Sequence, residues 1–140
     1  MVSGAADELA SVLFNLDGAS LTTRDMTARI TRAVVEWALA RGWTPRTEAR
    51  VDPGQLGFVD VIVRRPDGQP DLAIEIDSTD KPWSVSKLRH AIAAGMDAIW
   101  IRWGDDEWAG AFEDVDVIQL PVMRRSAHRS TTVRQLGFWT

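Results

Sequence analysis

At 140 residues the chain is sized for one domain, and 45% hydrophobic with 26% charged side chains is an ordinary globular composition. No apolar run approaches the ~20 residues of a membrane span, and the absence of cysteine excludes disulfides and thiolate metal sites. The formal net charge of −4 argues against a chain that coats nucleic acid unaided, but the sign is uneven: Pro121 to Thr140 hold four arginines and no acid, and Asp105 to Asp116 six acids and no base.

The opening segment MVSGAADELA has no basic region ahead of an apolar one. A secretory signal is therefore not expected, and a cytoplasmic location is. Residues 5–16 place Leu9, Val12, Leu13 and Leu16 on one helical face. Thr22 or Thr23 can cap a second helix running to about Arg41, with Met26, Ile30, Ala33, Val34, Trp37 and Ala38 as its buried stripe and Gly42 closing it. Glu36 lies at the edge of that stripe.

Trp43 to Val51 reads as a half-exposed strand, followed by a turn at Asp52-Pro53-Gly54. Phe58–Arg65 and Leu72–Ser78 flank Pro66-Asp67-Gly68 and should form an antiparallel hairpin. The helix after it begins near Pro82 or Ser84, ends at Gly95, and packs through Val85, Leu88, Ala91 and Ile92. Ala98–Trp103 is a strong apolar strand reached through that helix. It should therefore lie parallel to Leu72–Ser78 by a right-handed crossover. Val115–Leu120 is a candidate fifth, edge strand ending at Pro121. The order predicts an α/β fold: a mixed four- or five-stranded sheet with an αβββαβ core flanked by helices. Residues 1–120 are read as one domain, with a first helix over 5–16 and the core over 23–120. Residues 121–140 are read as a basic C-terminal extension.

Three carboxylates interrupt the most apolar runs: Asp60 in FVDVIV, and Glu75 and Asp77 in LAIEID. An unpaired buried carboxylate is costly, so their placement needs a reason. Side chains alternate along a strand, so Glu75 and Asp77 share a face, and Asp60 can join them if the hairpin register allows. A shift of one residue would separate them. Three converging acids raise each other's pKa unless a cation sits among them. Hard divalent ions take such oxygen ligands, with waters completing the shell, and can activate water toward a phosphodiester. Only two of the sixteen basic residues are lysines, Lys81 and Lys87, and both lie within ten residues of Asp77. Lys87 is about one helical turn in and can lean back over the acids. Trp83, between the acids and Lys87, can pack against the sheet or offer a stacking platform for a base.

Asp60, then fourteen residues, then Glu75-Ile76-Asp77 resembles the core of the PD-(D/E)XK nuclease superfamily, and the αβββαβ order is similar to its restriction-endonuclease-like fold. The resemblance covers about Thr23 to Leu120. It implies that Asp60 and Glu75 bind Mg²⁺ or Mn²⁺, and that Glu36 takes the place of an accessory glutamate. The family's usual lysine is replaced by Asp77. Lys87, with Lys81 second, is the residue that would supply it from the helix, leaving Asp77 as an extra metal ligand or a water-orienting base. The activity implied is hydrolysis of DNA phosphodiesters as an endonuclease or nickase, in restriction, repair, recombination or defence. Arg124, Arg125 and Arg129 of the tail would contact phosphates, and specificity would come from a homodimer or larger assembly. The alternative is an inactive module of the same fold that binds nucleic acid or a protein partner.

Overall fold

A computed structural model describes residues 4–16, 22–50, 58–104, 107, 108, 110 and 112–120. The turn expected at Asp52–Gly54 and the whole basic extension, with Arg124, Arg125 and Arg129, lie outside the described residues. The elements run α1 (Gly4–Leu13), α2 (Thr23–Ala40), β1 (Thr44–Arg50), β2 (Phe58–Arg64), β3 (Leu72–Asp77), α3 (Pro82–Ala93), β4 (Asp97–Trp103) and β5 (Asp116–Leu120). They build one five-stranded sheet in the order β1-β2-β3-β4-β5. The first three strands are antiparallel neighbours, and β3, β4 and β5 run parallel. This is the mixed α/β sheet flanked by helices that the element order predicts, with the fifth strand present.

Periodicity sorts the layers. On α2 the buried residues are Met26, Ile30, Ala33, Val34, Trp37 and Ala38, and the Thr22 hydroxyl accepts from Asp25 N at 3.1 Å to cap it. That stripe and α1's Ala6, Leu9 and Leu13 cover one face of the sheet, meeting Val61, Val63, Leu72, Ile74, Ile76, Ile99 and Ile101. The two helices are tied by Trp37 Nε1 donating to Glu8 at 2.8 Å and by an Arg41–Glu8 ion pair. On the opposite face, α3 lays Val85, Leu88 and Ala91 against Ala73, Ala98 and Trp100. Pro82 sits in the first turn of α3, where its missing N–H costs nothing. Trp37, Trp100 and Trp103 are core residues, as their elements imply. Among the described residues no helix is long and apolar enough to cross a membrane.

With helices on both faces, β3 is buried at every position. Its alternate residues Leu72, Ile74 and Ile76 serve the α1–α2 side. Ala73, Glu75 and Asp77 therefore face α3, so two carboxylates lie in the molecule's most enclosed strand.

Candidate active site at the splayed end of the hairpin

The β2–β3 ladder is short. Its register pairs Val63 with Leu72, Ile62 with Ala73 and Val61 with Ile74, and stops there. The next pair in that register would be Asp60 with Glu75. Instead, the two carboxylates bridge the gap. Asp60 N donates to Glu75 Oε2 at 2.7 Å, and Ile76 N donates to Asp60 Oδ2 at 2.7 Å. Each acid satisfies a backbone N–H that the parting strands would otherwise orphan. The same point marks a turn in β2 itself. Val61 and Val63 pack with α1 and α2, whereas Val59 packs with the α3 cluster. Across the sheet, Glu48 of β1 adopts a left-handed φ of 47°, and the ladder skips the Glu48–Asp60 pair.

Lys87 reaches this clasp from α3. Its Nζ lies 3.0 Å from Glu75 Oε1 and donates to Phe58 O at 2.9 Å. The Glu75 side chain is 2% exposed and that of Lys87 20%, so the ion pair is largely shielded from water. Burial, then the charge of Asp60, pushes the Glu75 carboxyl up to about 7, against the pull of Lys87 and of Asp60 N. Asp60 is also raised, first by burial and further by Asp77, while its bond from Ile76 N opposes the shift. A protonated Glu75 carboxyl can donate to Asp60. The pair thus holds more negative charge than Lys87 alone neutralises, and a proton or a second cation relieves it.

Asp77 belongs to the same face but is otherwise engaged. Its Oδ2 accepts from Ser84 Oγ at 2.6 Å and from Trp100 Nε1 at 2.8 Å, and its Oδ1 lies 3.4 Å from Lys81 Nζ. It joins the end of β3 to the start of α3 and to β4. Removing it would strand a buried hydroxyl and a buried indole N–H. Asp77→Ala is accordingly expected to cost about 2–4 kcal/mol of folding stability. Chemical denaturation checks this, and a loss within experimental error would refute the anchoring role.

The other expected site residues separate. Glu36 is exposed on α2, the helix over the opposite face of the sheet. Lys81 meets Asp77 and not the Asp60–Glu75 pair. Trp83 does not pack against the sheet: it is 60% exposed, because the Ser84, Leu88 and Ala91 face of α3 turns inward and Trp83 sits on the flank it shares with Lys87. Among the described residues, no three His, Cys, Asp or Glu side chains form a group able to hold a metal ion by themselves. Two close carboxylates do fit Mg²⁺, which is usually held by one or two carboxylates and keeps several waters. Sequence reading missed Ser84 and Trp100. The available sign was that a buried tryptophan in AIWIRW needs an acceptor and a buried Asp77 needs donors.

The fold is shared with a protein of known structure. SfsA of Pyrococcus furiosus, solved in complex with Ca²⁺, superposes with a TM-score of 0.51 at 10% sequence identity, over 81% of this chain and 64% of that chain. The chain thus spans less than two thirds of SfsA, and at this identity the similarity is one of fold. No protein-family model matches the sequence, and no curated protein matches it either.

Proposed function

We propose that the chain is a metal-dependent nuclease of the PD-(D/E)XK type, hydrolysing phosphodiester bonds of DNA. The observation that carries this reading is the Asp60–Glu75 clasp with Lys87 Nζ 3.0 Å from Glu75. Two oxygen ligands and an ammonium stand where β2 and β3 part, with the lysine supplied from α3 in place of position 77. Asp60 and Glu75 would hold Mg²⁺ or Mn²⁺. SfsA, of the same fold, was solved with another hard divalent ion, Ca²⁺. Bound there, the ion supplies an activated water and charge stabilisation on the phosphate. Lys87 holds its ammonium beside Glu75 as a point charge for the attacking water or the scissile phosphate. Asp77 acts indirectly in this reading, by anchoring the start of α3 and so the lean of Lys87. Trp83, exposed on the same flank, offers a ring to an unpaired base.

Plasmid incubated with the protein and Mg²⁺ or Mn²⁺ tests the proposal. Wild type should nick it and Glu75→Ala should not; equal nicking by both rejects the assignment. A second reading, a non-catalytic binding module, is favoured by the lack of a three-ligand cluster among the described residues. It forecasts no heat on calorimetric titration with Mn²⁺. Heat that Asp60→Ala abolishes would count against it.

A further inference from the structure

The helix α3 packs on β3 and β4, and among the described residues no helix covers the neighbouring part of that sheet face. There β1 and β2 present Thr44 opposite Arg64 and Arg46 opposite Ile62. These four residues, with Asp71 and Met96, line a cleft of about 380 Å³. Arg46 and Arg64 are exposed, and neither forms an ion pair among the described residues. The contrast with adjacent Arg65 is informative. That guanidinium is tied to Pro70 O at 2.7 Å and to Asp97 at 2.6 Å, and lies over the Trp43 ring. Arg65 is a structural residue, whereas Arg46 and Arg64 keep their donors for a ligand. Asp71, the acid in the cleft, faces Arg65 N at 3.4 Å.

The cleft shares strand β2 with Asp60 of the carboxylate pair. Asp60, Ile62 and Arg64 are alternate residues of β2, so Arg64 lies about 13 Å along the strand from Asp60. Arg46 stands diagonally from Arg64, at about 7–8 Å between Cα atoms. Thirteen ångströms is about four nucleotides of axial rise in a stacked strand. We infer that this open face is a track for a nucleic-acid strand, which runs from the Asp60–Glu75 pair along β2 with its phosphates held by Arg46 and Arg64. The identity of the ligand rests on the nuclease reading; the two arginines of the cleft, without an ion-pair partner among the described residues, do not. Among the described residues the track is open on the solvent side, and it carries two phosphate contacts, so it suits a single strand held by its backbone.

The test is anisotropy of a labelled single-stranded oligonucleotide in chelator, where no cleavage occurs, across a salt series. Arg46→Ala/Arg64→Ala should bind about tenfold more weakly, with a log–log salt slope shallower by roughly 1.4, the share of two single-strand phosphate contacts. Arg46→Lys/Arg64→Lys should retain most of the affinity, and Arg32→Ala, an exposed arginine of α2 over the opposite face of the sheet, should bind as wild type does. Unchanged affinity and slope in the alanine double variant overturn the track, as does a wild type that fails to bind. Glu75-dependent nicking with arginine-independent binding removes the track and leaves the nuclease reading standing. Arginine-dependent binding by a protein that never nicks plasmid does the reverse.

Discussion

Lys87→Met is expected to lower the single-turnover nicking rate about 10²–10³-fold, the usual cost of losing one charged or hydrogen-bonding group that acts on a transition state. Methionine keeps the apolar stem that crosses from α3 to the hairpin, so the variant isolates the ammonium. Two partners lose it together: Glu75 Oε1 at 3.0 Å and Phe58 O at 2.9 Å. The lost charge also opposes the upward shift of Glu75. Without it that carboxyl holds its proton to higher pH and binds a cation less readily at neutral pH. The rate of Lys87→Met should therefore recover in part as pH rises above neutrality, while the wild-type rate levels off. Lys87→Arg should not restore the wild-type rate, because a planar fork cannot place its charge where a compact ammonium fits between a carbonyl and a carboxylate. Nicking by Lys87→Met at the wild-type rate would remove Lys87 from the chemistry and with it the proposed replacement for the lysine missing at position 77.

The parts of this architecture that depend on local pattern were open to reading in advance. The stripe Met26, Ile30, Ala33, Val34, Trp37 and Ala38 is a helical period, and it is buried as such. The alternation Leu72, Ile74, Ile76 against Glu75, Asp77 placed both acids on one face, which is the face that α3 covers. The exposure of Trp83 was not legible: its position before Lys87 allowed packing against the sheet as well as a free ring, and it is 60% exposed. The parting of β2 from β3 was not legible. Period-two alternation describes a continued ladder equally well, and a ladder that yields to carboxylate bridges is decided by tertiary packing. The partners of Asp77 were likewise hidden. Ser84 lies across a helix start and Trp100 is twenty-three residues away in another strand. Which of two buried acids binds a cation and which binds an indole is a matter of geometry, and spacing alone assigns both the same way.

The stability of the metal-free protein should carry a pH dependence with a sign set by Glu75. Its folded carboxyl is raised from an ordinary 4.5 to about 7, chiefly by burial and by Asp60. A raised acid favours the protonated form in the native state. Its contribution is therefore fully present below about pH 4.5 and is lost as pH climbs through 7. At about 1.4 kcal/mol for each tenfold in proton affinity, the loss approaches about 3 kcal/mol, or roughly 10 °C in Tm for a domain of this size. Asp60 is shifted in the same direction. The surface pairs work the other way. Glu8, lowered mainly by Arg41, and Asp114, lowered mainly by Arg89, add stability as pH rises. The informative quantity is thus the difference between wild type and Glu75→Gln, in which those surface groups cancel. Measured in chelator, that difference should widen in favour of Glu75→Gln from pH 5 to pH 8. Added Mg²⁺ or Mn²⁺ should then raise the Tm of the wild type at pH 8 and leave Glu75→Gln nearly unmoved, because a cation that binds only the native carboxylates stabilises by mass action. A difference independent of pH would mean that Glu75 stays ionised through this range, held by Lys87 and Asp60 N alone. A pH-dependent difference with no response to either cation would leave the raised carboxyl standing and remove the metal from it.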